Sequence, residues 1–398
     1  MFSKIYFAIL FLSAPLLLMV LVTSCDIDES QPSENIGFTR IYDDGNFESA
    51  FYPVDILQTA DSGFIMLSVE NDWDTYLLKT NRNGEFEWDL SLPEKYVNPI
   101  KGMFSIEGFV YFFCMDNIAL GTYLIKVDPV SGQIEEERYY GDDLYPLAVS
   151  NLADGGKLLL GYNRNNTSSR LTRLNAGFDI QWSEDFNVLE DVEEMIIGHV
   201  RRLGTRYPFF TGTSGNRYFF NGFNNFSISL TFVAQSDGEF TGIVNGFRDR
   251  SVISSLLPIS GSNYMATRYS YGENFLMQNE SISENNISFG GDLGGNELPE
   301  LSPDAVVFLQ RITIQGVERI LMATNTRSGQ ILLLFYSADG LQLIGASYLG
   351  RINPFEIGGI TSTGDGGVAI MGNTWVAGRF PRICLFRLTA DELAKMAN

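Results

Sequence analysis

Histidine is almost absent: one ring, His199, in 398 residues. That scarcity removes HExxH patterns and any zinc site built from several imidazoles. A Ser-His-Asp triad would have to use this one ring. Cysteine is nearly as scarce, at Cys25, Cys114 and Cys384. Cys114 and Cys384 each lie inside an apolar run, YFFCM and ICLFRL, and read as inert buried thiols. Positive charge is also short: Lys and Arg number 27 against 48 Asp and Glu, a formal net charge of −21. A surface that acidic repels phosphate backbones and sets nucleic acid aside as a partner. Past residue 22 the apolar runs are four to eight residues long and rich in Phe, Tyr, Ile and Val. Such runs point to strands, not helices.

The first 36 residues read as an address. Lys4 precedes an apolar run from Ile5 to Val22, and Val22-Thr23-Ser24-Cys25 comes next. Small residues before a Cys at that boundary resemble the lipobox of bacterial lipoproteins. The resemblance implies cleavage between Ser24 and Cys25, with thioether-linked lipid and N-acylation on Cys25. The competing reading is an uncleaved spanning helix, for which an 18-residue run is borderline. Residues 25–36 then form an acidic tether without hydrophobic periodicity, about 20 Å long on average. Acids directly after the Cys resemble the surface-export signal of Bacteroidota lipoproteins. The expected location is therefore the outer membrane, facing the cell surface, with its periplasmic face as the alternative.

Residues 37–398 carry a repeat. Strands after the first turn of each unit begin near Gly63, Gly108, Gly156, Arg206, Asn263, Arg319 and Gly367, in steps of 45, 48, 50, 57, 56 and 48. A second mark is the tight turn before each unit's last strand, with Gly84, Gly132, Gly177, Gly238 and Gly340 expected to supply positive φ. A period near fifty with three or four strands per unit predicts an all-β fold, a single seven-bladed β-propeller. Unit seven lacks a fourth strand, while GFTRIYDD from Gly37 to Asp44 is an orphan strand. We expect that N-terminal strand to pair with Ile383–Leu388 and close the last blade.

The repeats resemble a propeller family widespread in Bacteroidota, with Asp-Gly-Gly-aromatic, Tyr-Leu-Ile-Lys and a Gly turn before Trp. Asp61-Ser62-Gly63-Phe64 with Tyr76-Leu77-Leu78-Lys79, Gly84 and Trp88 carries the likeness, as do Asp154-Gly155-Gly156 with Gly177 and Trp182, and Asp365-Gly366-Gly367. Units four and five depart from it, which leaves blade boundaries between residues 201 and 301 open. The likeness speaks to fold, since that family has no single activity.

No catalytic, cofactor or metal site stands out. Quinone-dependent propeller dehydrogenases carry a Trp in every blade and often a Cys pair, and here there are four Trp and no Cys-Cys. Gly290 to Gly295 lacks the Lys of a phosphate loop. Asn81 to Gly84 reads as a hairpin turn, and the acid clusters at 135–137 and 142–143 as solvated strand ends. His199, expected on an inner strand, precedes Arg201, Arg202 and Arg206, a basic island that Glu190, Asp191, Glu193 and Glu194 could neutralise. The stretch from Tyr207 to Phe232 interleaves aromatics with Asn. It could be blade core, or a contact surface presenting Tyr218, Phe219, Phe220, Phe223 and Phe226.

Together these readings describe a non-enzymatic binding or scaffold lipoprotein with no cofactor. It would be held to the membrane by its lipid and would contact an outer-membrane protein or a glycan. The alternatives are a glycan lyase or glycosidase working at the propeller channel, and a periplasmic outer-membrane assembly factor.

Overall fold

The computed structural model describes residues 37–43, 49–246, 251–303, 305–375 and 380–397. The signal, Ser24, Cys25 and the tether lie outside the described residues. Strand pairing sorts the described residues into six sheets, in which seven successive units of four main antiparallel strands can be followed. Unit 1 holds Phe51–Gln58, Phe64–Glu70, Asp74–Thr80 and Phe86–Ser91; unit 2 holds Phe104–Ile106, Phe109–Asp116, Gly121–Val127 and Ile134–Leu144. A short strand, Tyr96–Val97, pairs with both and fuses them into one sheet. Unit 3 comprises Pro146–Asn151, Lys157–Asn163, Ser168–Leu174 and Ile180–Asn187. Unit 6 comprises Val307–Ile314, Val317–Asn325, Ile331–Ser337 and Leu343–Leu349. This is a β-propeller: the units succeed one another around a central cavity that all seven line.

Unit 7 closes the ring as the orphan strand foretold. Phe355–Ser362, Val368–Trp375 and Pro381–Leu388 are joined by Phe38–Tyr42, which pairs antiparallel with Ile383–Arg387. Units 7 and 1 also touch at the centre. Gly358 lies so close to Pro53 that a Cβ there would overlap it, Gly359 packs tightly on the Asp55 backbone, and Gly364 N–H donates to Gln58 Oε1 at 2.8 Å.

The repeat motif has a physical reason. In units 1, 3 and 7 a cation on the third strand is buried between sheet layers: Lys79 is 0%, Arg173 3% and Arg387 7% exposed. Each pairs with the Asp of the preceding turn, Asp61, Asp154 and Asp365, and each donates to the carbonyl of the residue after it. The glycines Gly63, Gly156 and Gly367 are what leave room. A Cβ at any of them would overlap both the cation and a backbone carbonyl. Aspartate, glycine and the distant Lys or Arg are thus one cluster that satisfies a charge the core would otherwise reject.

Neighbouring units interlock through a second motif. Trp88 packs on the Gly132 turn of unit 2 and donates to Pro129 O at 3.1 Å. Trp182 packs on the Gly238 turn of unit 4 and donates to Gln235 O at 3.3 Å. At the closure Phe38 takes the tryptophan's place against Gly84, with Tyr42 donating to Gly84 O at 2.9 Å. Side-chain amides add clasps near the axis. Asn98 reaches Pro146 O, Asn221 reaches Ile253 O and Asn325 reaches Phe355 O, each from one unit into the next.

Units 4 and 5 explain the irregular spacing. The expected second strand at Arg206 is one strand early: Phe210–Ser214 is the first strand of unit 4 and Arg217–Asn224 the second, then Ser227–Ala234 and Phe240–Asn245. The extra length before them is a helix, α1 (Glu193–Val200), and its exit segment. Unit 5 runs Val252–Ser260, Asn263–Ser270 and Glu273–Ser281. The chain then returns to unit 4, where Ile287–Phe289 pairs parallel with its outer strand, before Asn296–Glu297 completes unit 5. Gly84, Gly132, Gly238 and Gly340 have the expected positive φ, but Gly177 does not; Phe178 takes φ 65 in its place. The chain ends in a second helix, α2 (Ala390–Met396), capped by Thr389 and Glu392. Cys114 and Cys384 are buried free thiols.

This packing sets two stability measurements. Gly367→Ala should lower the urea midpoint by an amount worth about 2 kcal/mol or more. Gly364→Ala, with only Gln58 Oε1 nearby at 3.7 Å, should be close to neutral. Lys157, 3% exposed, lies 3.9 Å from the Phe104 ring centroid. Burial and the neighbouring Arg173 push its ammonium down to about 8, from an ordinary 10.5. Between those values the unfolded chain holds more protons than the folded one, so stability rises with pH across the window. Lys157→Met should flatten that rise, read as the difference in urea midpoints at pH 7 and pH 9.5.

Candidate functional site

The first strands, or the segments leading into them, wall a cavity of about 820 Å³ on the propeller axis. Tyr52 and Val54 come from unit 1, Lys101 from unit 2, Ser150 from unit 3, Phe308 from unit 6 and Glu356 from unit 7. Ring geometry puts them together, because residues some fifty apart in the chain share one axis.

The basic island enters this cavity through α1. His199, on that helix, Arg202 just past it and Arg206 all line the wall. The helix is held over units 1 to 3 by its ends. Glu193 accepts from Tyr145 at 2.7 Å and pairs with Arg164 at 3.1 Å, while Arg201 stacks over Trp73 at 4.0 Å. Glu193 is therefore spent on Arg164, and does not neutralise the island. Among the described residues neither Arg202 nor Arg206 has a carboxylate within 4 Å, and Arg202 donates only to Val200 O at 3.2 Å. Arg202 is half-buried and Arg206 exposed, and both line the lumen. Enclosure, together with the charge of Arg206, pushes Arg202 well down from the usual guanidinium range. Arg206 falls to about 10 through burial, opposed by Glu356.

His199 is fixed by what surrounds it. Tyr207 N–H donates to its Nδ1 at 2.9 Å, and Phe209 packs edge-on at 4.8 Å. With Nδ1 accepting, the ring proton is on Nε2, which is a donor with no protein acceptor among the described residues. Burial, Arg206 and Arg202 hold the ring well below the ordinary histidine range, in that order. Lys101 stands over the Phe308 ring at 3.7 Å and is pushed down to about 8 by burial, opposed by Asp55. Asp55 itself faces away from the lumen and accepts from the backbone of Ile56, Gly102 and Met103. Glu356 is the one carboxylate among the described lining residues. Its pKa is raised by burial, against the pull of Arg206. Asn373 Oδ1 and Gln310 Nε2, also on the wall, are buried without a protein partner.

The aromatic stretch divides: Tyr207, Phe209, Phe210 and Phe219 reach the cavity wall, and most of the rest packs between blades. Tyr218, Phe219, Phe220 and Phe223 lie on the second strand of unit 4 at 7%, 3%, 0% and 3% exposed. Tyr218, Phe220 and Phe223 join the core shared with unit 3, and Phe219 the core shared with unit 5. Their rings are consumed by blade packing, so the expectation of a contact surface there is corrected; Phe226, in the turn after that strand, is exposed. His199 is on a helix, not an inner strand. Asp143, expected in solvent, is 2% exposed and accepts from Thr172 while Arg170 approaches at 3.3 Å. Of the residues singled out from sequence, His199, Arg202, Arg206 and Phe219 line the cavity and Arg201 braces the helix. Lys101, Phe308 and Glu356 carry no local signal, since each is an ordinary residue of a different repeat. Among the described residues no group of three or more His, Cys, Asp or Glu could hold a metal ion.

No family model matches the chain, and no curated protein matches it by sequence. Solved structures share the fold. The Dos1 propeller is 11% identical, with 86% of this chain and 82% of that chain covered at a TM-score of 0.47. The β-propeller domain of the Trilobed protease from Pyrococcus furiosus, of open velcro topology, is 7% identical, with 86% and 95% covered at 0.44. A protein from Bacteroides caccae is 11% identical, with 72% and 93% covered at 0.39.

Because the chain has one histidine, proton NMR reads it without assignment. Its ring resonances should not move through the ordinary histidine titration near pH 6.5. Replacing Arg202 and Arg206 together with Gln should move its titration back up toward that value.

Proposed function

We propose that the protein is a non-enzymatic binding or scaffold module, a lipoprotein of the outer membrane facing the cell surface and serving an outer-membrane protein complex. The observation that carries the binding role is the cavity. It is walled by all seven units and presents Arg202 and Arg206, which among the described residues have no carboxylate within 4 Å, together with aromatic rings. A rigid ring holds such groups in place at little entropic cost on binding. The anchor rests on the sequence around Cys25, and three acyl chains at about 0.8 kcal/mol per buried CH₂ would hold the protein stably. An acidic exterior suits solubility above an anchored base.

The cavity argues for binding over glycan processing. A glycosidase needs two carboxylates at a set separation, and Glu356 is the one found on the described wall. A lyase working through His199 would need a free basic nitrogen. Nδ1 is occupied by Tyr207 N–H and Nε2 carries the proton, so His199 can donate a hydrogen bond but is not placed to take a proton.

Metabolic labelling with a palmitate analogue should mark the wild-type chain and leave Cys25→Ser unlabelled and in the soluble fraction. Protease treatment of whole cells should degrade the wild-type protein; survival would place it on the periplasmic face, as an assembly factor requires. Crosslinking in cells should recover an integral outer-membrane protein with the wild type.

A further inference from the structure

The cavity's charge is opposite to that of the molecule. The chain carries a formal −21, yet the described lining residues include Arg202, Arg206 and Lys101 against Glu356 alone. Arg202 and Arg206 have no carboxylate within 4 Å among the described residues, and His199, whose Nε2–H has no acceptor among them, lines the same space. Arg202 is half-buried and Arg206 exposed on the cavity wall, so both guanidiniums are available to an anion that enters. Arg is also the side chain whose planar fork matches a carboxylate or a sulfate ester.

The rest of the wall says what bears that charge. Half-buried Tyr52 and Tyr207 offer ring surface, while Ser150, Ser254 and Gln310 offer hydroxyl and amide groups. Flat rings beside short polar groups fit a sugar, which has an apolar face and a rim of hydroxyls. A cavity of about 820 Å³ has room for a short oligosaccharide. An extended peptide would instead need a run of unpaired backbone to pair with.

Building on the binding-module reading, we infer that the axial cavity takes an anionic saccharide. Arg202, Arg206 and His199 Nε2–H hold its carboxylate or sulfate group, with Tyr52 and Tyr207 against its rings. Lys101 faces the same lumen and adds attraction at neutral pH. Glu356 opposes it, and sets a limit on how many negative charges the cavity accepts.

The test is calorimetric titration of the full-length chain in detergent with four probes: an oligogalacturonate, its methyl ester, a sulfated glycosaminoglycan disaccharide and an oligoglutamate peptide. Inorganic sulfate is a fifth. Saturable binding of the oligogalacturonate or the sulfated disaccharide is expected, and which of them binds separates carboxylate from sulfate. The methyl ester should bind at least tenfold more weakly. Arg206→Gln and Arg202→Gln should each lose tenfold or more, and Arg206→Lys should recover part. The ring resonances of His199 should shift on binding, a readout that mere loss of stability would not give, and thermal unfolding should show the variants folded. Equal binding of the methyl ester, tighter binding of the peptide, or binding of inorganic sulfate alone would each overturn the inference. The double Gln variant keeps Cys25, so its labelling and crosslinking report the binding-module reading separately. Failure to bind any saccharide with crosslinking intact would sink this inference and leave that reading standing.

Discussion

A four-stranded sheet that is apolar on both faces has no stable existence in water until both faces are covered. Every unit here meets that constraint by packing on its two neighbours, and the last pair to be made joins the two ends of the ring. Phe38–Tyr42 supplies it, completing unit 7 through five consecutive pairings with Ile383–Arg387. Phe38 then covers Gly84 of unit 1 as Trp88 covers Gly132 of unit 2 and Trp182 covers Gly238 of unit 4. The closing strand therefore does two jobs at once: it satisfies the open edge of unit 7, and it caps the face of unit 1.

Closure is also what creates the axial site. The wall is made of residues chosen for strand packing, and only the ring brings Tyr52, Lys101, Phe308 and Glu356 to one axis. Into that frame the chain inserts one element foreign to the repeat, α1 and its exit. The helix is fixed at both ends, through Glu193 to Tyr145 and Arg164, and through Arg201 to Trp73. Its exit segment delivers two guanidiniums, Arg202 and Arg206, into the lumen. An inserted segment braced across several units is a means of placing side chains where no regular repeat could.

Charge is handled in two ways in this fold. Where a cation lies between sheet layers, as with Lys79, Arg173 and Arg387, a local aspartate answers it and a glycine makes the space. Where cations line the cavity, as with Arg202 and Arg206, no carboxylate lies within 4 Å among the described residues, and Glu356 acts on Arg206 only from farther away. Both sets share one chain, and the contrast is what separates architecture from site.

The chain's own sequence decided the fold at the level of repeats. Gly at positions where a Cβ would strike a carbonyl, an Asp two residues earlier, and a Lys or Arg about twenty later are local constraints, so their spacing is visible without coordinates. The orphan strand was legible for the same reason: a unit short of one strand and a spare strand elsewhere imply each other. Units 4 and 5 hid their boundaries because their extra segments, α1 and Ile287–Phe289, are held by contacts with other units and obey no period. The role of the Tyr207–Phe232 aromatics was equally hidden, since alternation looks alike in a buried strand and at a sticky surface; pairing on both sides of Arg217–Asn224 decided it. The basic island was plain in the sequence, but whether the nearby acids silenced it depended on which way α1 turned. Only the tertiary structure settled that, by committing Glu193 to Arg164 and leaving Arg202 and Arg206 to the lumen.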